Sequence, residues 1–410
     1  MQNTPRGMRL HIGIFGRRNV GKSSILNRLT GQNISIVSDT PGTTTDPVEK
    51  AMELLPLGPV LFVDTAGVDD TGSLGEQRIE KTRKIFDRID LAIIVSDGLS
   101  WGDFEKGLYA EFQQRKIPVI AVINKTDLLS SAVKDEFKPE NPDLTPVFVS
   151  TKENTGISEL KQKIIAVAPE EFLQTPLIAA DLVRPGELAV LVVPIDLEAP
   201  KGRLILPQVQ TIRELLDNDS MVIVVKEREL KEALSRQKMK PDIVITDSQA
   251  FLKVSADVPK DVKLTSFSIL FARLKGDLNE FVRGTMAIEK LKTGDKVLIC
   301  ESCTHHQIGD DIGRIKIPRW LTQYTGAKLE FVHYSGHDFP ENIGEYGLII
   351  HCGACMTNKR EILSRIAKAN AAGVPITNYG LTIAYSLGLF ERALEPFPAA
   401  RDIYKEALSG

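Results

Sequence analysis

Aromatic residues are few in this chain of 410, at 6% with two tryptophans, and no stretch interleaves them with basic residues as a single-strand nucleic-acid platform requires. Charge of one sign is missing too. Fifty-one Lys and Arg stand against 54 Asp and Glu, a net charge of −3, and a pI near 6.2 leaves no basic footprint for a phosphate backbone. No apolar run approaches the ~20 residues that span a bilayer, and residues 1–9 lack the apolar core of a secretory signal. A cytoplasmic protein with no nucleic-acid and no membrane partner is therefore expected. There is no low-complexity tract and no repeat of solenoid length. What remains is 42% hydrophobic and 26% charged, an ordinary globular composition over a length that suits two or three domains.

Cysteine is also scarce, but its placement carries information. Cys300, Cys303, Cys352 and Cys355 all fall in the last third, with five of the six histidines: His305, His306, His333, His337 and His351. In a reducing compartment such clustering points to metal or redox chemistry before disulfides.

Strand and helix patterns alternate along the whole chain, which predicts an α/β fold of three domains. In the first, 1–170, apolar runs at 10–15, 60–64, 91–96, 119–124 and 147–149, with a helix from Lys22, indicate a mostly parallel sheet. A helix from about Ser158 stops before Pro169, and Pro176 follows, which places a linker near 169–178. The second, 178–265, has strand patterns at 188–193, 221–225 and 243–246 and helices at 209–216 and 229–236. Lacking histidine, cysteine and a phosphate loop, it reads as a scaffold or oligomerisation domain. The third, 266–410, opens with a long helical pattern over 269–291. Strand runs at 296–299, 329–334, 347–350 and 374–377 then predict a second parallel sheet.

The first domain carries a phosphate loop, Gly16-Arg17-Arg18-Asn19-Val20-Gly21-Lys22-Ser23 followed by Ser24, between a strand and a helix. Glycines let the backbone N–H groups wrap a β-phosphate. Lys22 neutralises β/γ charge, the Ser23 hydroxyl ligates Mg²⁺, and the helix start adds its positive dipole end. Asp64-Thr65-Ala66-Gly67 offers a carboxylate to the Mg²⁺ shell and the Gly67 N–H to a γ-phosphate. Asn124-Lys125-Thr126-Asp127 ends another strand, and Asp127 can accept from guanine N1 and N2, for which adenine has no equivalent. Ser150-Thr151-Lys152 completes a base pocket. Each of the later motifs is weak singly, since strand-ending turns are common. Four in order at strand ends specify GTP.

Residues 10–168 resemble the GTPase domain of the bacterial tRNA-modification and ribosome-assembly group. That group's Gly-Thr-Thr switch is matched by Asp39-Thr40-Pro41-Gly42-Thr43-Thr44-Thr45-Asp46, and the resemblance implies that Thr44 binds Mg²⁺. Lys22, Thr44 and Gly67 are thus the catalytic set. Val68 stands where a water-orienting glutamine occurs in Ras-type enzymes, so intrinsic hydrolysis should be slow. Asn19 is similar to an asparagine that helps hold K⁺ in related GTPases, which implies K⁺-stimulated turnover. Stabilising the loop alone is the competing role for Asn19.

In the third domain Cys303-Thr304-His305 and His351-Cys352-Gly353-Ala354-Cys355 each follow an apolar strand. A parallel sheet brings such loops out at its carboxyl edge, where α/β folds place ligands. Cys300 continues the strand and reads as core. Three cysteines and one histidine suit a closed zinc site. Three cysteines also suit a 4Fe–4S cluster with one open iron, and residue chemistry leaves both standing.

Cys-x-His followed by a distant His-Cys-x-x-Cys, C-terminal to a GTPase domain, resembles the FeFe-hydrogenase maturation GTPases, and the likeness covers the whole chain. It implies a dimerisation domain at 178–265 and a cluster domain at 266–410. The cluster is 4Fe–4S on Cys303, Cys352 and Cys355, with His305 and His351 as a fourth ligand or lying behind the ligands. It further implies a scaffold that carries a diiron precursor of the hydrogenase active site. The partners are a second copy, radical-SAM maturases and apo-hydrogenase, and the cofactors GTP, Mg²⁺, K⁺ and the cluster. A zinc-containing GTPase of RNA modification or ribosome assembly, and a redox-gated GTPase, are the rivals.

Overall fold

Six uninterrupted apolar residues form strand β1, Leu10–Phe15, buried along its whole length, and the first sheet assembles on it. The computed structural model describes residues 6–31, 48–65, 84–97, 101–129, 144–169, 172, 177–194, 204–302 and 311–409. They fall into two units, Met1–Pro176 and Leu177–Gly410. In the first unit β2 (Val48–Leu54), β3 (Gly58–Asp64), β4 (Leu91–Asp97), β5 (Val119–Asn124) and β6 (Val147–Phe148) join β1 in the order β2-β3-β1-β4-β5-β6. All neighbours run parallel except β2 and β3, which pair antiparallel. A short turn joins those two, which only an antiparallel pair permits. Strand β2 alternates buried and open positions with charges, so it carries no apolar run and the sequence reading passes over it.

Helices α1 (Lys22–Thr30) and α3 (Ile157–Val167) cover one face through Ile25, Leu29, Leu160 and Ile164. Helix α2 (Asp103–Gln114) covers the other, where Phe15, Phe86 and Phe112 meet with ring centroids 4.9–5.3 Å apart. Because both faces are covered, the strands read as continuous apolar runs, as in other doubly covered parallel sheets.

The second unit holds two all-parallel sheets. In one, β7 (Leu188–Val192), β8 (Met221–Val225), β9 (Ile243–Thr246) and β10 (Lys263–Ser266) lie in the order β10-β9-β7-β8. They are linked by α4 (Leu206–Asp217), α5 (Leu230–Arg236) and α6 (Phe251–Asp257). In the other, β11 (Lys296–Glu301), β12 (Glu330–Ser335), β13 (Tyr346–His351) and β14 (Ile376–Asn378) lie in the order β12-β11-β13-β14.

Between the sheets run α7 (Phe267–Lys275) and α8 (Leu278–Met286), two helices where periodicity alone predicts one. Gly276 separates them: a Cβ there would lie 2.5 Å from the Phe281 ring. The Asp277 carboxylate then caps α8 by accepting from the N–H groups of Asn279 and Glu280. Helices α9 (Ile317–Thr325), α10 (Lys359–Ala371), α11 (Tyr379–Ser386), α12 (Phe390–Leu394) and α13 (Pro398–Ser409) complete the unit. Among the described residues no helix is long and apolar enough to cross a membrane.

Candidate functional site

Two sites emerge at carboxyl edges of parallel sheets, one in each unit. In the first unit the segments after β1, β3, β5 and β6 bear the phosphate-loop, Asp64, Asn124–Asp127 and Ser150–Lys152 motifs. Gly21 precedes α1 at φ +94°, and a Cβ there would stand 2.2 Å from Asn124 Nδ2. The closeness has a purpose, since Asn124 Nδ2 donates to the Val20 carbonyl at 2.9 Å and its Oδ1 accepts from Thr151 N at 3.4 Å. Asn124 thus ties the phosphate loop to the base-pocket loop. Asn19 sits in the left-handed region at φ +63°, a conformation asparagine tolerates better than most residues.

Lys22 is buried, and its Nζ donates to the Gly16 and Arg17 carbonyls at 2.8 Å each, which fixes the ammonium at the loop. Ser23 Oγ donates to Asp64 Oδ2 at 2.7 Å. Asp64 Oδ1 is buried with no hydrogen-bond partner among the described residues. Burial raises the pKa of Asp64 against the opposing pull of Ser23, Lys22 and Lys50. An orphaned carboxylate oxygen beside a serine hydroxyl and a lysine is the environment a Mg²⁺ ion relieves, so the residues fit that ion. At the base pocket Asp127 Oδ1 accepts from Ser150 Oγ at 2.7 Å, and that bond holds its carboxyl below the usual range. Lys125 is left-handed at φ +59° and pairs with Asp97 at 2.9 Å. Lys152 approaches Asp127 at 3.8 Å. Ser24 lies on α1 behind Ser23.

Sequence reasoning passed over one brace. Arg17 makes a two-pronged pair with the fully buried Glu105 of α2, at 3.0 and 3.1 Å, anchoring the phosphate loop to the opposite layer. Thr44 and Gly67 lie outside the described residues.

In the second unit β11 and β13 are neighbours, so the segments after them emerge together. Cys352 follows β13, and its Sγ accepts from Ser302 N at 3.1 Å; its thiol donates to Ser302 Oγ at 3.3 Å. Ser302 is the residue before Cys303, which lies outside the described residues with His305. Ala354 takes a left-handed φ of +55°, and its carbonyl accepts from Thr357 N at 3.3 Å, curling Cys352 and Cys355 onto one turn. Burial pushes the Cys355 thiol up to about 11, with the neighbouring Cys352 adding to the shift. Cys300 is wholly buried in β11 and is pushed up to about 12 by desolvation. Among the described residues no three His, Cys, Asp or Glu side chains group to hold a metal ion.

His351 has both ring nitrogens engaged. Nε2 lies 2.8 Å from Arg365 Nη1, and because guanidinium only donates, Nε2 must accept. Nδ1–H therefore donates to the Cys352 carbonyl at 3.0 Å. Arg365 also donates to Glu361 at 2.6 Å and to the Gly336 carbonyl at 2.9 Å. Glu361 in turn bonds His337 Nδ1 at 2.9 Å. A chain of contacts, His337–Glu361–Arg365–His351, exposed at His337 and buried from Glu361 onward, so backs the cysteine turn. Glu361 and Arg365 escape a reading of the sequence, although their i, i+4 spacing on a helix after the Cys-x-x-Cys motif is a usable signal. His333, on β12, is half-buried, and its Nδ1 has no partner among the described residues. A cavity of about 890 Å³, lined by Arg283, Lys290, Asp295, Gly347 and Ile376 among others, opens at the opposite, amino ends of these strands.

Comparison with known proteins assigns the segments separately. Residues 11–125 match the 50S ribosome-binding GTPase family. Residues 178–276 match the hydrogen maturase F dimerization domain, and 279–396 the hydrogen maturase F tetramerization domain. GTPase Der of Wolinella succinogenes is 36% identical over 170 residues, 38% of this chain and 36% of that protein. The tRNA modification GTPase MnmE of Caldicellulosiruptor saccharolyticus is 42% identical over 128 residues, 30% of this chain and 27% of that one. The chain thus spans about a third of the length of these curated relatives. Aquifex aeolicus Era bound to GDP and AlF4⁻ is 21% identical with a TM-score of 0.35, over 61% of this chain and 99% of that one.

Proposed function

The chain belongs to the hydrogen maturase F family, with a GTPase domain at its head, and from that premise we propose that it is a GTP-hydrolysing scaffold that holds a 4Fe–4S cluster and delivers a diiron precursor to apo-FeFe-hydrogenase. One observation carries the cluster half of this reading: the Cys352 thiol is hydrogen-bonded to the backbone N–H of Ser302, immediately before Cys303. An N–H directed at that sulfur is a contact that a metal-bound sulfur would keep. Three soft sulfur donors then suit an iron–sulfur group.

Cys303, Cys352 and Cys355 are the ligands. His351, with both nitrogens engaged, orients the Cys352 backbone rather than binding iron, and His305 keeps its place as a candidate fourth ligand. When bound, the cluster supplies an iron open to an added ligand. The chain's own residues do the rest: Ser302 and His351 position Cys352.

In the first unit Lys22 meets the β/γ-phosphates, Ser23, Thr44 and Asp64 serve Mg²⁺, and Asp127 selects guanine. The Gly67 N–H meets the γ-phosphate. Asn19 supports K⁺-stimulated turnover. The domains run 1–170, 178–265 and 266–410. The second contributes dimerisation through β8, an edge strand of five apolar residues with Met221 and Val224 more than 40% exposed. Such an edge is a template for pairing with a second copy. Nucleotide state governs association with the radical-SAM maturases and apo-hydrogenase.

The test is anaerobic reconstitution with iron, sulfide and zinc analysis and EPR, followed by partner pull-down in GTP and GDP. Four irons and four sulfides per chain, bound to the three cysteines, are expected. Stoichiometric zinc without sulfide would end the cluster reading. Equal partner binding in GTP and GDP would end the switch.

A further inference from the structure

Glu105 is 0% exposed, and a carboxylate is kept inside a protein only where donors surround it. Its Oε1 accepts from Arg17 Nε at 3.0 Å, and its Oε2 from Arg17 Nη2 at 3.1 Å and Gly102 N at 2.9 Å. The Gly102 bond is the backward reach of a third helical residue to its N-cap, which sets the start of α2. The Arg17 guanidinium also lies 5.6 Å from the centre of the Phe104 ring. Gly102, Phe104 and Glu105 thus form a seat for one guanidinium, on an element that carries none of the nucleotide motifs.

What that seat controls lies at the other end of Arg17. The Arg17 carbonyl accepts from Lys22 Nζ at 2.8 Å, and the Gly16 carbonyl does so at the same distance. The two carbonyls are fixed by different means. Gly16, at φ +149°, is pressed on β4 so closely that a Cβ would lie 2.2 Å from the Val95 carbonyl oxygen. Arg17 is held through its side chain, and a two-pronged guanidinium–carboxylate pair sets direction as well as distance.

We propose that Glu105 is a positioning residue for GTP hydrolysis: through Arg17 it fixes one of the two carbonyls that aim the Lys22 ammonium at the β- and γ-phosphates. Its role runs through Arg17, with no contact to the nucleotide. The proposal rests on the nucleotide reading of the first unit and is independent of the cluster. Misplacing a reacting group by an ångström can cost on the order of a hundredfold in rate. A carbonyl loosened on one side of the lysine should therefore cost at least about tenfold.

The test uses full-length protein with Glu105→Gln, Arg17→Lys, and Arg17→Met combined with Glu105→Met. Steady-state hydrolysis and the binding of GTP and ITP are measured on each, with urea unfolding as the check on the fold. Gln removes the charge, Lys keeps the charge without the fork, and the double variant removes the pair without stranding a buried charge. Expected is a kcat/KM for GTP at least about tenfold lower in all three. The ratio of GTP to ITP affinity, which reads the base pocket through the guanine 2-amino group, should stay that of wild type. Should Glu105→Gln fail to fold, the double variant decides together with Arg17→Lys, whose side chain is 38% exposed. Wild-type kcat/KM in the double variant would overturn the proposal, because the pair would then serve folding alone. A GTP-to-ITP ratio that falls together with the activity would overturn it too, as damage spread over the whole domain. So would faster hydrolysis in Glu105→Gln, the sign of a released Arg17 acting on the phosphates itself. Wild-type protein that binds no GTP would instead end the nucleotide reading on which the proposal stands.

Discussion

Acidification of the metal-free protein probes the chain behind the cysteine turn through a single proton. His351 accepts from Arg365 and donates to the Cys352 carbonyl, so its neutral form is built into the fold. Burial, with the Arg365 charge adding, lowers its pKa from 6.5 to about 3. The native ring therefore binds a proton less tightly than the unfolded one. Its contribution is complete above pH 6.5 and is lost as pH falls through that value towards about 3. Across the whole interval, at 1.36 kcal/mol per pH unit, about 5 kcal/mol is at stake, and about 2 kcal/mol of it lies between pH 7 and 5.

The assay is urea unfolding of chelator-treated full-length protein in which Trp101→Phe leaves Trp320, on α9 of the second unit, as the reporter. His351→Gln replaces the ring with a group that still accepts from Arg365 but does not titrate. Between pH 7 and 5 the protein that keeps His351 should lose about 2 kcal/mol more than the His351→Gln variant. Equal losses in the two would refute the assignment of a buried, neutral His351.

Three further outcomes are expected. Asp127→Asn exchanges an acceptor for a donor, so GTP affinity should fall on the order of a hundredfold or more while xanthosine triphosphate binds better; competition with a fluorescent nucleotide measures both, and an unchanged preference for GTP would remove Asp127 from the base pocket. Gly21→Ala places a Cβ 2.2 Å from Asn124 Nδ2 at φ +94°, so calorimetry should show nucleotide affinity reduced at least ~10-fold, with a stability loss of about 1–3 kcal/mol. Val224→Lys puts a charge on the exposed β8 edge, and sedimentation should show dissociation into monomers with folding preserved; a dimer of unchanged affinity would exclude β8 as the interface.

Much of this architecture was legible because doubly covered parallel strands must be apolar throughout. The strands at 10–15 and 119–124 are plain as runs, and the glycines, Lys22 and Ser23 fall on the strand-to-helix turn their chemistry demands. Strand β2 escaped because its alternating, charge-bearing pattern resembles a surface segment. The break at Gly276 was overridden by the apolar period running through α7 and α8, although the glycine and the Asp277 cap were there to be read.

Sequence by itself determined which chemistry is available: a phosphate loop, a carboxylate just past the strand at 119–124, and cysteines placed just past two strands. Those assignments depend on local spacing, which a linear chain displays. Only the tertiary structure decided which groups surround that chemistry. Arg17 and Glu105 are 88 positions apart, Lys275 and Thr357 82, and Ser302 and Cys352 50. No periodicity links such pairs; they meet because the order of strands in a sheet, and the helices packed on it, bring distant segments to one edge. The same packing set the buried His351 ring between a guanidinium on one nitrogen and a carbonyl on the other.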